Sequence, residues 1–371
     1  GVQTCALPIC ACHFGSFYEA MAAAKHIVRL MPIAVELVDA TMIGLARDIA
    51  MFRPTLEAFV RNEPAALLLV EFETEDWVES LRRLERLHEL MGDLGFAWDK
   101  IGAKWGGVVD VLEPKLQAAI TELRTAGLNI MMSMKDAGKP ISFVEDCAVP
   151  LEHLADYTSR LTDVFERNGT SGTWYAHASV GCLHVRPVLD LHSAADLKKF
   201  RQVAEEVAAL VKQFKGSFAS EHGVGLGRTE FLRAQVGEEV YELMREVKKA
   251  FDPHSLFNPG KIIDAPPMDT SLRILPGEPA PVHETVFRFA DTGGVLRAAE
   301  KCTGVGQCRK SHLAGGTMCP SYMATRDEQH TTRARANVLR QALEGGRQSA
   351  DPWTDPALAD VMSLCLSCKA C

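Results

Sequence analysis

Six of the eleven cysteines crowd into the final seventy residues, at Cys302, Cys308, Cys319, Cys365, Cys368 and Cys371. Cys147 and Cys182 stand alone in the long middle stretch, and Cys5, Cys10 and Cys12 lie near the start. A secreted disulfide scaffold spreads its cysteines through one small domain. Tight spacing at one end of a 371-residue chain predicts thiolate ligation of a metal or cluster in a reducing, cytosolic setting. The rest of the chain must then fold on its own core. It has the means, with 47% hydrophobic and 24% charged residues, close to the globular average. A net charge of −8 excludes a general electrostatic nucleic-acid binder. Apolar runs such as Ala65–Val70 fall far short of the roughly 20 residues of a membrane span, so any membrane association is peripheral.

Along the chain, residues 1–10 show no periodicity that continues into residue 11 and beyond, and they read as a non-native leader. The chain stops on Cys371 inside a cysteine motif, so a fragment of a longer protein is expected. Ala65–Phe72 reads as a buried strand and Trp77–Leu94 as an amphipathic helix. A strand over Ile141–Val149 comes next, then a helix over Leu151–Asn168 and two strands or one bent strand over Tyr175–Leu191. Helices are predicted over Ala194–Gln213 and Thr229–Phe251, and another from about Arg326 to Glu344. Five prolines between Asp264 and Pro281 mark a linker. The expected fold class is α+β, an antiparallel sheet covered by helices on one side, with no dinucleotide-binding glycine fingerprint near its start. The boundaries are a body over 11–265, a linker over 266–290 and a smaller cysteine-rich domain over 291–371.

Chemistry concentrates in two places within the body. His177-Ala-Ser-Val-Gly-Cys-Leu-His184 holds two imidazoles that a straight strand cannot aim at one point, whereas a turn at Gly181 can. With Glu221 they make a His/His/Glu set suited to a divalent metal that keeps an open position. Spacing alone favours the plainer reading, three unrelated polar residues on loops. The second place, Phe251-Asp-Pro-His-Ser-Leu-Phe-Asn-Pro-Gly-Lys261, reads locally as turn chemistry.

Taken together, His177…Gly181…Leu183-His184, Ser220-Glu-His-Gly-Val-Gly225 and Asp252-Pro253 with Asn258-Pro-Gly-Lys261 resemble the C-terminal substrate domain of FAD-linked oxidases of the vanillyl-alcohol-oxidase type. That group includes D-lactate, glycolate and D-2-hydroxyglutarate dehydrogenases. The resemblance covers roughly residues 15–265. It implies that His177, His184 and Glu221 bind a divalent metal (Zn²⁺ or Mn²⁺), and that His222 takes the proton from the substrate hydroxyl. It further implies that Arg124 grips the substrate carboxylate and that Asn258 and Lys261 lie near FAD and the substrate. The family motif runs His-x-Gly-Asp-Gly-Asn-Leu-His; here Val180 and Cys182 replace its Asp and Asn.

At the other end, Cys365-Leu-Ser-Cys368-Lys-Ala-Cys371 opens a ferredoxin-type cluster motif. Cys302 and Cys308, followed by Cys319-Pro320, share its frame with Val305 where a second cysteine would stand. The cysteine before proline serves the partner cluster in two-cluster ferredoxins. Cys319 is therefore expected to join Cys365, Cys368 and Cys371 on a [4Fe–4S] cluster, while Cys302 and Cys308 belong to a second site, of [3Fe–4S] type. A zinc site is the alternative for this group. The expected whole is a flavin and iron–sulfur D-2-hydroxyacid dehydrogenase, similar to fused D-2-hydroxyglutarate dehydrogenase-like proteins. Electrons would pass through the clusters to a quinone, a cytochrome or an electron-transfer flavoprotein. The alternative is an electron-transfer or scaffolding module whose substrate site has decayed, an idea that rests on Val180 and Cys182.

Overall fold

A computed structural model describes residues 8–368 apart from 75, 100, 135, 275, 315–317 and 346–350. The chain forms two compact units. One comprises Gly1–Met131, Lys139–Leu189 and Leu197–Leu272; the other comprises Met132–Gly138, Asp190–Asp196 and Arg273–Cys371.

The first unit is built on nine strands: β1 (Ile9–Phe14), β2 (Ala34–Asp39), β3 (Ala66–Glu71), β4 (Phe96–Ala97), β5 (Lys104–Val111), β6 (Lys139–Pro140), β7 (Cys147–Ala148), β8 (Gly172–His177) and β9 (Cys182–Leu189). They run in the order β4-β5-β1-β3-β2-β8-β9-β6, with β7 also on β9. Every pairing is antiparallel except β4 with β5. The first ten residues are not all a leader. Ile9 and Cys10 open β1, an interior strand, and both are buried.

Helices are α1 (Phe17–Ile27), α2 (Ala40–Asp48), α3 (Arg53–Phe59), α4 (Trp77–Asp93), α5 (Pro114–Thr125), α6 (Gly127–Met131), α7 (Leu154–Arg167) and α8 (Ala194–Gln213). They cover both faces of the sheet, not one as expected. Alternate residues of a strand point to opposite sides, yet all six residues of β1 are buried. Ile9 and Ala11 of β1, Val38 of β2 and Leu67 and Leu69 of β3 share a core with Met42 and Ile43 of α2, Leu56 of α3, Ile120 of α5 and Ile130 of α6. The opposite set meets α1, which packs on β1, β2 and β3 and in turn against α7. The helix α4 forms because Asp76 caps it and an apolar stripe, Leu84, Leu87 and Met91, recurs at helical spacing.

Two local expectations fail for physical reasons. Ile141–Val149 is not one strand: within it only Cys147–Ala148 is strand, the neighbouring short pairing being Lys139–Pro140 ahead of it, and Asp146 adopts φ +77°, which breaks a ladder. The single helix over Thr229–Phe251 is interrupted at Gly237, with φ +89°, and the long helix is Glu238–Phe251.

In the second unit the described elements are helical, with Val295–Glu300, Pro320–Thr325, Thr332–Leu343 and Pro356–Met362 as α-helices. The helix placed from Arg326 starts six residues later, where Thr331 accepts the Ala334 amide as its cap. No described helix is long and apolar enough to cross a membrane.

Candidate active site

The hairpin β8–β9 and its neighbour β2 put a polar cluster on one face of an otherwise apolar sheet. Residues directly opposite in antiparallel strands share a face, and Tyr175 faces His184, His177 faces Cys182, and Glu36 of β2 faces His177. Between the strands the chain turns at Gly181, with φ +70°. A Cβ there would collide with the Val149 carbonyl, so this turn requires glycine. The convergence expected of such a turn is what the hairpin delivers.

Glu221 and His222 arrive from a loop held by a single carboxylate. Asp146 is fully buried, and its two oxygens accept the backbone N–H groups of Ser220, Glu221 and His222, each at 3.0 Å, plus the Ser220 hydroxyl at 2.8 Å. Burial alone would raise its pKa, but these donors and Arg228 hold it below the usual carboxylate range.

Three imidazoles meet one oxygen. Nε2 of His184, His222 and His177 lies 3.1, 3.5 and 3.6 Å from Oε1 of Glu221. Their opposite nitrogens face acids: Nδ1 of His177 sits 2.8 Å from Glu36, and Nδ1 of His184 and His222 sit 3.1 and 3.2 Å from Glu145. An Nδ1–H donated to a carboxylate leaves the Nε2 lone pair aimed inward, the arrangement that orients metal-binding histidines. The tightest donor sets, within 4.8 Å of one another, are Asp146, Cys182, His184 and Glu221, and Glu145, His184 and His222. His177 stands just outside both sets.

The acidic partners are tuned accordingly. Burial pushes Glu36 up, but the His177 hydrogen bond and Arg124 outweigh it and hold Glu36 low. Glu145 is likewise held low, by His184 and Arg186 against its burial. His177 is raised, chiefly by its hydrogen bond to Glu36. Burial keeps the Cys182 thiol protonated, its pKa pushed up to about 11, while its sulfur lies 3.0 Å from the Ser220 hydroxyl. Val180, the other departure from the family motif, points to solvent.

His177, His184, Glu221, His222 and Glu145 line a cavity of about 270 Å³ with Tyr175, Trp174, Met42, Arg124 and Arg186. Arg124 enters it already engaged. Its terminal nitrogens pair with Glu71 at 2.7 Å and Glu36 at 3.2 Å, and donate to the Tyr175 hydroxyl at 3.2 Å. Arg186 is less engaged: among the described residues its ion pair is with Glu145, at 3.7 Å, and the Nε atoms of both arginines are buried without a partner there. Asn258 and Lys261 are not brought into this cavity. They line a different, apolar one with Leu243, Val247 and Phe257.

Residues 6–262 match the family described as "FAD linked oxidases, C-terminal domain". The chain belongs to this family. The match begins ahead of β1 and contains every residue of the polar cluster. Among individual proteins, the chain is 30% identical over 349 residues to D-2-hydroxyglutarate dehydrogenase of Escherichia coli (strain K12), covering 92% of this chain and 33% of that protein. It is 31% identical to the protein of the same description from Pantoea ananatis, covering 94% of this chain and 33% of that protein. It therefore spans about a third of the length of these relatives. Coverage this high necessarily carries the similarity past residue 262 into the cysteine-rich segment. Solved structures with related outlines include 4-ethylphenol oxidase from Gulosibacter chungangensis, with TM-score 0.47 at 13% identity over 70% of this chain and 54% of that one.

The cysteines of the second unit differ in burial. Cys308 and Cys319 are buried, Cys302 is half-buried, and Cys365 and Cys368 are exposed; Cys371 lies outside the described residues. Among described residues these sulfurs do not gather into a three-member donor set. Two features do connect Cys319 with the segment leading to Cys365. Arg335 donates to the Cys319 sulfur at 3.3 Å and to the Val361 carbonyl at 2.9 Å, and the Ser321 hydroxyl donates to the Leu364 carbonyl. Burial would raise the Cys319 thiol, but the Tyr322 amide and Arg335 bring it below the ordinary range, toward the thiolate a ligand must be. Val305 is half exposed.

Sequence reasoning missed Glu36, Glu145, Asp146, Tyr175 and Arg186. Two signals were available. Glu36 interrupts the apolar run of β2, and Glu145-Asp146 interrupts the apolar stretch 141–149. A charge in a buried strand needs a partner.

Proposed function

We propose that this chain is the substrate-binding part of an FAD-dependent dehydrogenase that oxidises a D-2-hydroxyacid, of the D-2-hydroxyglutarate or D-lactate type, to the 2-oxoacid. The observation that carries this reading is the convergence of His177, His184 and His222 on Glu221, each imidazole backed by a carboxylate. That donor set fits a divalent cation: His177, His184 and Glu221 would hold Zn²⁺ or Mn²⁺. When bound, the cation supplies Lewis acidity toward the α-hydroxyl and FAD supplies the hydride acceptor.

The chain's own residues then divide the remaining work. His222 accepts the hydroxyl proton at Nε2, since its Nδ1 is oriented by Glu145; at 50% side-chain exposure it faces the open side, where a flavin could approach. Glu145 stabilises the imidazolium that results. Arg186 and Arg124 supply positive charge for the substrate carboxylates, Arg186 being the less neutralised. Trp174, Met42 and Leu128 exclude water around the reacting carbon. In the second unit, Cys319 would serve a [4Fe–4S] cluster with Cys365, Cys368 and Cys371, and Cys302 with Cys308 a second cluster, leading electrons to a quinone, cytochrome or electron-transfer flavoprotein.

The test uses the full-length protein that carries this chain. Anaerobic addition of D-2-hydroxyglutarate or D-lactate should bleach the flavin band, the L-enantiomers should not, and Glu221→Gln should abolish the response. A protein that binds iron but is reduced by no 2-hydroxyacid would instead be the electron-transfer module with a decayed site.

A further inference from the structure

A second donor set lies in the other unit, among residues with no task in the proposed dehydrogenation. His192, Glu300 and Glu344 each present one ligand atom, all within 4.8 Å of one another. The segment around His192, the helix Val295–Glu300 and the end of the helix Thr332–Leu343 supply them, and all three segments belong to the same compact unit.

The arrangement is built from the outside inward. Arginines occupy the outer oxygens: Arg340 donates to Oε2 of Glu344 at 2.7 Å, and Arg297 to Oε2 of Glu300 at 3.5 Å. The imidazole is oriented from behind, with Nδ1 of His192 3.1 Å from the Glu278 carbonyl to which it donates. Nε2 thereby faces Oε1 of Glu300 at 2.7 Å. Glu344 completes the set; its Oε1 is buried with no hydrogen-bond partner among the described residues, on a side chain only 7% exposed.

Among the buried polar atoms without a partner in the described residues, this one belongs to a carboxylate within a donor set. A buried acceptor left unpaired costs about 1–3 kcal/mol, and more when charged. Placement makes it worse, because Glu300 is the last residue of its helix and Glu344 caps the other. The C-terminal ends of helices carry negative partial charge and favour cations. Two carboxylates at two such ends face one imidazole, and although Arg340, Arg297 and the His192–Glu300 hydrogen bond bring positive charge to their other oxygens, none of these reaches Oε1 of Glu344.

We propose that His192, Glu300 and Glu344 bind a divalent metal ion that fastens these three segments of the second unit together. One imidazole and two carboxylates are a mixed nitrogen–oxygen set that suits Mn²⁺ and its neighbours, whereas the thiolates of the same unit suit Zn²⁺ and iron. The ion replaces the proton between His192 and Glu300 and gives Oε1 of Glu344 its partner. The role is structural: the site has three protein ligands, arginines on the outer oxygens, and no residue in common with the cavity of His184 and Glu221.

The test is Mn²⁺ binding to the full chain by equilibrium dialysis, with free Mn²⁺ read by EPR, so that the cysteines do not compete. Glu344→Gln and Glu300→Gln, which preserve shape, should each remove one equivalent of tightly bound Mn²⁺ or weaken it by at least about tenfold. Glu221→Gln should leave that equivalent in place, which separates this site from the proposed catalytic one. Mn²⁺ should also raise the melting temperature of the wild-type chain but not of Glu344→Gln. Unchanged stoichiometry in both glutamine variants, or no bound Mn²⁺ that survives Glu221→Gln, overturns the proposal and leaves Glu344 a neutral, protonated acid. If either variant fails to fold, the other together with His192→Asn decides.

Discussion

Oδ1 of Asp146 accepts the backbone N–H of Glu221 at 3.0 Å, so a buried acid positions the residue on which three histidines converge. Arg228 adds a bond to the Gly223 carbonyl of the same loop, while the side chains of Glu221 and His222 are about half exposed. Asp146→Asn exchanges one acceptor oxygen for an NH₂ that faces N–H donors. The expected result is a loss of about 2–3 kcal/mol in stability from unpaired buried amides. Divalent-metal affinity should fall about tenfold or more, because the ligand is no longer held. Denaturant melts and metal titration of the purified variant measure the two effects separately.

Gly181 makes the hairpin possible, and Gly181→Ala should be costly twice over. The left-handed φ of +70° disfavours any Cβ, and the Val149 carbonyl occupies the space that Cβ would need. A destabilisation of roughly 2–4 kcal/mol is expected, the sum of backbone strain and steric displacement. The same substitution at Gly223, also at positive φ but with open space around it, should cost only about 1 kcal/mol. Comparing the two melts isolates the collision from the strain.

His13 gives the fold a pH dependence. It is fully buried, its Nδ1 lies 2.9 Å from the Ala11 carbonyl, and its Nε2 accepts the Arg61 amide at 3.0 Å. Only the neutral ring can both donate and accept, and burial lowers its pKa from 6.5 to about 4. The unfolded chain therefore binds the proton first. Stability from this residue is complete above about pH 6.5 and is lost as pH falls toward 4, by up to about 3 kcal/mol. His13→Gln, whose side-chain oxygen can still accept from Arg61, should flatten the slope of stability against pH across this window. Urea midpoints measured across that range provide the check.

How much of the fold and site was legible depended on whether periodicity or partnership decided the outcome. The helix α8 is found over the same residues, Ala194–Gln213, that its apolar spacing picks out, because its register is set locally. The turn at Gly181 was legible for the same reason. The second helical layer was not. The residues of β1 that it covers, Cys10, Cys12 and Phe14, could be recognised only once Ile9 and Cys10 were counted as structure. Glu36 and Tyr175 join the site through strand neighbours remote in sequence, β2 against β8, and no local pattern announces such a pairing. Arg124 illustrates the limit. Its position beside the site was anticipated, but its ion pairs with Glu36 and Glu71 depend on sheet register.

That distinction yields a test of which arginine meets the substrate. Arg124 is fixed by two carboxylates and the Tyr175 hydroxyl, and one of those acids, Glu36, also orients His177. Arg186 lines the same cavity with only a long tie, 3.7 Å, to Glu145 among the described residues. If Arg186 takes a substrate carboxylate, Arg186→Lys loses the planar fork and should raise KM about tenfold or more with a smaller change in kcat. Arg124→Lys should act differently, because an ammonium cannot hold Glu36, Glu71 and Tyr175 together. Its cost should fall on kcat, through a misaligned His177, and should come with weaker divalent-metal binding. Steady-state kinetics of both variants in the full-length enzyme, each paired with a metal titration, separate the two roles. A KM effect confined to Arg124→Lys would return the carboxylate to Arg124.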